Sequence, residues 1–244
     1  MRLHIINSNS DGNCYLFTDN NGETLIVECG VRFERIKQAL NFDLSKVVGC
    51  LVTHEHGDHC KGVRDAVKSG IDIYATAGTI KGLKCIHHRF NAVKKGGIYK
   101  LGPFDVIAFD THHDVNEPCG FLIKHPEMGT TLFLTDTIYC NYQFPGLNNI
   151  LIEANYSQDI IDEKLAGNRF LRNRVIQSHM SVETCLETLE ANDLRAVNNI
   201  VLIHLSDRNS DAKVFKQRIE DATLKTVTIA TAGLTIENFN ITPF

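Results

Sequence analysis

The sequence predicts an α/β fold in which two β-sheets pack face to face and helices cover them. Three observations point there. The chain has 244 residues, 43% hydrophobic and 22% charged, an ordinary globular composition with ample material for a sizeable core. Strand-like and helix-like segments come in interspersed groups, which suits layered packing. The 5 prolines and 17 glycines are spread widely, with no repeat, low-complexity tract or Pro/Gly/Ser linker. No domain boundary is visible, and one domain over residues 1–244 is expected. The composition excludes disorder, collagen-like repeats and coiled coil.

Strands are expected at 2–7, 14–18, 24–28 and 47–53, where apolar and β-branched residues run between turn residues. Helices are expected at 32–40, with Phe33, Ile36 and Leu40 at helical spacing, and at 61–69. A second strand group is expected near 104–110, 119–124, 131–135 and 149–153, with Pro145-Gly146 and Asn148-Asn149 as turn signals. The clearest helix is 182–191. There Val182, Cys185, Leu186 and Leu189 form one apolar stripe behind Ser181, a natural N-cap. A strand at 199–205, a helix at 211–221 and a strand at 225–230 follow.

The chemistry gathers where one strand ends. Leu51-Val52-Thr53 leads into His54-Glu55-His56-Gly57-Asp58-His59, with four potential metal ligands within six residues. Alternate side chains of an extended chain point the same way, so His54 and His56 can converge on one ion. Gly57 is expected to let the backbone turn and so free Asp58 and His59 for a second. Imidazole and carboxylate suit Zn²⁺, and two ions about 3.5–4 Å apart make a hydrolytic pair. Three later apolar strands end in further donors: His112-His113-Asp114, Asp136 and His204. Each is weak alone, since Asp136 can cap a turn and His204 can be a hydrogen-bonded core histidine.

His54 to His59 resemble the H-x-H-x-D-H signature of the metallo-β-lactamase superfamily. The likeness runs through nearly the whole chain and looks closest to the YycJ/WalJ-type branch. It is carried by Ser8-Asn9-Ser10-Asp11-Gly12-Asn13-Cys14, Leu25-Ile26-Val27-Glu28-Cys29-Gly30 and His113-Asp114-Val115-Asn116-Glu117-Pro118-Cys119-Gly120-Phe121. It implies a four-layer αββα sandwich of the metallo-β-lactamase type with two internally related halves. It also implies one divalent ion on His54, His56 and His113 and a second on Asp58, His59 and His204. Asp136 and a water or hydroxide would bridge the two ions. Zinc is the expected metal, and the donor set also admits Mn or Fe. His113 is preferred to His112 because the residues after it match the branch. Glu28 departs from the family's usual Asp, which leaves the supporting role of that position open.

Asp58 and His179 are the residues expected to carry catalysis. A His placed like His179 assists the leaving group in related phosphodiesterases, and an imidazole can donate that proton near neutral pH. The helix N-terminus that follows it suits a phosphate. The resemblance implies a di-zinc phosphodiesterase, a nuclease acting on DNA. The alternatives are a phosphodiesterase for a small ligand such as a cyclic nucleotide, a glyoxalase-type thioesterase, or a metal-stabilised binding module. The net charge of −4 provides no global field for a polyanion. Two basic stretches free of acid offset it locally. These are 81–95, with Lys81, Lys84, Arg89, Lys94 and Lys95, and 166–180, with Arg169, Arg172, Arg174 and an interleaved Phe170. Only 68 positions separate Asp136 from His204, which excludes the RNA-processing branch with a large insertion there. The eight cysteines include no C-x-x-C and several sit in apolar runs, so free thiols in a cytoplasmic protein are expected. Cys60 and Cys119 are read as packing. The sequence shows no secretory h-region and no membrane-spanning run.

Overall fold

In the longer strands successive side chains point to opposite faces, and here both faces are apolar, so each sheet needs cover on both sides. The structure, a computed structural model, describes residues 1–242 and meets that need with four layers. The first six strands are β1 (Arg2–Asn9), β2 (Gly12–Thr18), β3 (Thr24–Val27), β4 (Val47–Leu51), β5 (Ile73–Thr76) and β6 (Phe90–Val93). The next seven are β7 (Ile98–Leu101), β8 (Phe104–Asp110), β9 (Cys119–His125), β10 (Gly129–Leu134), β11 (Leu147–Glu153), β12 (Asn199–Ile203) and β13 (Val227–Ile229). A final strand, β14 (Thr235–Ile236), returns to the first sheet. The sheet orders are β14-β1-β2-β3-β4-β5-β6 and β7-β8-β9-β10-β11-β12-β13. In both, the first three pairings are antiparallel and the last three parallel. The two halves therefore repeat one topology.

The inner faces meet in one core. Leu3, Ile5, Tyr15, Phe17, Leu25 and Val27 pack there against Phe121, Ile123, Phe133, Leu151, Val201 and Ile203. The alternate residues Leu16, Ile26 and Cys50 face outward under helices α1 (Phe33–Ala39) and α3 (Val63–Lys68). On the other side Leu132, Ile150, Ile152 and Leu202 face α7 (Val182–Glu190) and α8 (Ala212–Thr223). The remaining helices are α2 (Gly57–Cys60), α4 (Ala77–Gly82), α5 (Gln158–Lys164) and α6 (Arg169–Ser178). All eight cysteines are free thiols. Among the described residues no helix is long and apolar enough to cross a membrane.

The expected strand and helix groups appear, with shifts of a few residues at their ends. The helix expected at 61–69 is α3, and the short α2 before it, which was not expected, carries two of the candidate ligands. Strands β5, β6, β7 and β14 and helices α4, α5 and α6 are also additional. The first three strands have only four residues each and β14 two, and β6 and β7 are only partly buried, so they lack a long apolar run. Helix α6 buries only Ser178 and presents no apolar stripe to read.

The turn after β3 pins the candidate site to the scaffold. Cys29 N–H donates to His59 O, Gly30 N–H to Asn13 O, and Gly62 N–H to Cys29 O. Chain segments pass so close at Gly30 that a Cβ there would lie 1.6 Å from the Asp58 carbonyl oxygen. Only glycine fits this approach. Gly30→Ala is expected to destabilise the fold by about 1–3 kcal/mol through overpacking and to lower zinc content. Thermal unfolding and elemental analysis check it, and an unchanged midpoint with full zinc would show that the contact is relaxed.

Candidate metal centre

His54, His56, His113, Asp136 and His204 sit in the loops that follow strands β4, β8, β10 and β12. β4 ends at Leu51, and His56 holds extended backbone, with φ of −64° and ψ of 147°, directly before α2. Asp58 and His59 then lie in the first turn of α2. The turn is made by helix initiation, not by glycine freedom. Gly57 has no left-handed φ, and a Cβ there would meet nothing within 4 Å. The role expected of Gly57 is thus corrected.

Asp136 follows β10 and His204 follows β12. Both hold left-handed backbone, with φ of 44° and 52°, a region unusual for side-chain-bearing residues. Surrounding bonds fix them there. His204 N–H donates to Ser8 Oγ at 3.0 Å, Asn155 Nδ2 donates to His204 O at 2.8 Å, and Thr135 Oγ1 donates to Asp136 Oδ1 at 3.0 Å.

Three overlapping groups of side chains result. They are His54, His56, His113 and Asp136; Asp58, His59, Asp136 and His204; and Asp136, Glu153, His179 and His204. Within each group the ligand atoms lie within 4.8 Å of one another. Hydrogen bonds settle which ring nitrogens are free to ligate. Thr53 Oγ1 donates to Glu28 Oε1 at 2.5 Å, so its oxygen accepts from His54 Nδ1–H at 2.9 Å. His54 Nε2 is then bare, buried and without a hydrogen-bond partner among the described residues. Likewise His113 Nδ1–H donates to Ser178 O at 2.8 Å, which leaves Nε2 facing His56 and Asp136. Bare imidazole nitrogens converging beside carboxylates fit a divalent ion such as zinc.

Charge is balanced inside this cluster. Burial pushes the Asp58 and Asp136 carboxyls up, but the adjoining histidines outweigh it and hold both well below the usual range. Glu153 is held low in the same way, mainly by His179. Burial lowers the histidines. His54 and His113 stay low. The carboxylates reverse it elsewhere: Asp136 and Glu28 raise His59, Asp136 and Asp58 raise His204 to about 10, and Glu153 raises His179. On protein atoms alone, the carboxylates of Asp58, Asp136, Glu28 and Glu153 favour the protonated forms of His59, His204 and His179.

All of His54, His56, Asp58, His59, His113, Asp136, His179 and His204 come together. His112 turns away, stacked on Tyr139 with ring centroids 4.3 Å apart. Glu153, fully buried, was not anticipated. It accepts from His179 Nδ1–H at 2.8 Å and lies 3.3 Å from His204 Nδ1. Its signal was an acid closing the apolar run Ile150-Leu151-Ile152, the same pattern that marked Asp136. Glu28 touches the site after all. Besides its bond to Thr53, its Oε1 lies 3.4 Å from His59 Nδ1. The N-terminus of α7 is not open to a phosphate, because Val182 N–H donates to Tyr156 O and Thr184 N–H to Ser181 Oγ, and Val182 and Ser181 are buried. Cys60 Sγ donates to Glu55 O, and burial pushes its thiol up to about 12, so it remains an unreactive thiol. In the first basic stretch Arg89 and Lys95 are ion-paired with Asp72 and Asp110. The centre opens into a cavity of about 390 Å³, walled on one side by Leu171, Arg174 and Val175 of α6.

Comparison with known proteins agrees with this architecture. A family profile for the beta-lactamase superfamily domain matches residues 25–205. The chain is 27% identical over 226 residues to exodeoxyribonuclease WalJ of Streptococcus pneumoniae, covering 86% of this chain and 83% of that one. It is 27% identical over 176 residues to exodeoxyribonuclease YycJ of Bacillus anthracis, covering 66% of each. The crystal structure of the metallo-beta-lactamase fold protein YhfI from Bacillus subtilis superposes with a TM-score of 0.75 at 18% identity, covering 97% of this chain and 98% of that one.

Two outcomes are expected. Zinc must displace protons from the raised histidines, so uptake by chelator-stripped protein at pH 7 releases protons, and affinity weakens as pH falls. Calorimetry in buffers of different ionisation enthalpy measures this, and a buffer-independent heat would contradict it. Glu28→Ala removes the group that orients His54 through Thr53. It should weaken zinc binding roughly 10–100-fold, read by competition with a chromophoric chelator, while unchanged affinity would deny Glu28 that role.

Proposed function

The chain belongs to the beta-lactamase superfamily, and on that premise we propose that it is a metal-dependent phosphodiesterase acting on DNA. His54, His56 and His113 would hold one ion and Asp58, His59 and His204 a second, with Asp136 shared between them. Divalent ions in such a site supply Lewis acidity toward a phosphoryl oxygen and draw the pKa of water towards neutrality.

The observation that carries the reading is His179 on the cavity wall, backed by the fully buried Glu153 at 2.8 Å. Glu153 accepts a hydrogen bond from Nδ1–H and fixes the ring, which leaves Nε2 as the nitrogen to hold and give up a proton. In phosphodiester hydrolysis a bond forms between phosphorus and the attacking water oxygen while the P–O ester bond breaks, and the water's surplus proton passes to solvent. The departing alkoxide then takes its proton from His179 Nε2. An alkoxide is a poor leaving group and needs that proton, whereas a thiolate leaves readily with a pKa of about 8.5. A positioned acid therefore favours an oxygen ester over a thioester. The likeness to two exodeoxyribonucleases supports DNA as the substrate. The net charge of −4 favours a second reading, a small phosphodiester such as a cyclic nucleotide, and a cavity of about 390 Å³ would hold one.

Purified protein loaded with zinc or manganese is to be assayed on single- and double-stranded DNA, RNA, a cyclic nucleotide and a thioester. DNA hydrolysis is expected, with activity falling steeply as salt rises. His179→Ala should lower kcat by about 10²–10⁴ with metal content intact. Full turnover in that variant removes His179 from the chemistry. Preferential cleavage of the cyclic nucleotide, insensitive to salt, selects the second reading.

A further inference from the structure

Helix α6 carries a feature that metal chemistry does not use. Phe170, Asn173, Arg174 and Gln177 are spaced i, i+3, i+4 and i+7, so they share one helix face. That face, with Asp114 opposite, lines an open cavity beside the metal centre. The two cavities have Asp114 and Arg174 in common, so they form one trough. At about 1.5 Å per residue, each turn of α6 advances about 5.4 Å. Arg174 stands roughly one turn before the end of the helix at His179, and Phe170 roughly one turn further out.

The groups along the trough are uncommitted. Phe170 is 82% exposed and has no aromatic neighbour among the described residues. The Arg174 guanidinium has no ion pair or hydrogen bond among the described residues, whereas Arg172 is held by Asp162 at 2.6 Å. Residues 166–180 contain no acid. Asp114, the acid of the outer cavity, is on the opposite wall beside His113, and it disfavours phosphate on that side. An isolated exposed Phe is commonplace. Here it is followed one turn later by an unpaired arginine, in line with a site for phosphodiester cleavage.

We propose that α6 is the track for a single strand of nucleic acid, Arg174 binding the phosphate next to the scissile one and Phe170 stacking on the base beyond it. The inference rests on the phosphodiesterase reading and narrows it to a strand with unpaired bases. A guanidinium fork matches phosphate oxygens, and an aromatic face accepts any unstacked base without sequence preference. A closed duplex keeps its base faces covered, so it cannot use Phe170 in this way.

The test measures binding of the zinc-loaded protein to a fluorescent single-stranded phosphorothioate hexadeoxynucleotide by anisotropy. Hydrolysis of the ordinary hexamer is followed in parallel. Phe170→Ala and Arg174→Gln are each expected to weaken binding about tenfold. Arg174→Gln should also reduce the slope of log affinity against log salt by about 0.7. Lys213→Gln, on α8, serves as the charge control and leaves both unchanged. Thermal midpoints show that the variants fold. Wild-type affinity in both variants overturns the track even if the hexamer is cleaved. A change of oligomeric state in Phe170→Ala, without loss of binding, also overturns it and assigns Phe170 to contact between copies. Binding that depends on Phe170 and Arg174 without any hydrolysis keeps the track and removes the enzyme reading.

Discussion

The carboxylate of Asp136 meets five imidazoles. It lies 3.2 Å from His59 Nε2, 3.3 Å from His204 Nδ1, 3.4 Å from His54 Nε2, 3.6 Å from His113 Nε2 and 3.8 Å from His179 Nδ1. Almost none of it is reached by solvent. A buried carboxylate costs several kcal/mol unless it is paired, so the surrounding chain has to deliver compensating charge to one point. Much of the local architecture is that delivery. Strained backbone at Asp136 and His204, the helical start that presents Asp58 and His59, and the Ser178 carbonyl that turns His113 all serve the same carboxylate.

The scaffold makes this possible because its ends coincide. The central strands of the two sheets are buried on both faces, so they are largely apolar and polar chemistry gathers at their ends. Strands β4, β10 and β12 each have at least one parallel neighbour, and their carboxyl ends open on the edge where ligands characteristically bind. His54, Asp136 and His204 follow those three ends within a few residues.

Much of this was legible in advance, and the boundary is physical. Four candidate ligands within six residues announce themselves because they share one short stretch of chain. Strands with both faces buried announce themselves as unbroken apolar runs. Residues that act through another residue do not. Glu153 reads as the end of a strand until its position beside His179 and His204 is seen. Glu28 reads as a departure from a pattern until its bond to Thr53 connects it to His54. Helix α6 buries a single residue, so periodicity had nothing to register, and its arginines were visible only as a run of charge. The N-terminus of α7 shows the opposite error. The Ser181 cap was readable from sequence, but not that Tyr156 and the cap would occupy the free N–H groups.

The candidate ligands divide between the halves. His54, His56, Asp58 and His59 belong to the first, and His113, Asp136 and His204 to the second. Neither half holds a complete set. During synthesis the first four leave the ribosome long before His204, which follows His54 by 150 positions. Since domains fold as their parts emerge, the centre closes only after most of the chain has been made. Until then the nascent first half presents an incomplete cluster of histidines, and a metal captured early must wait for its remaining ligands.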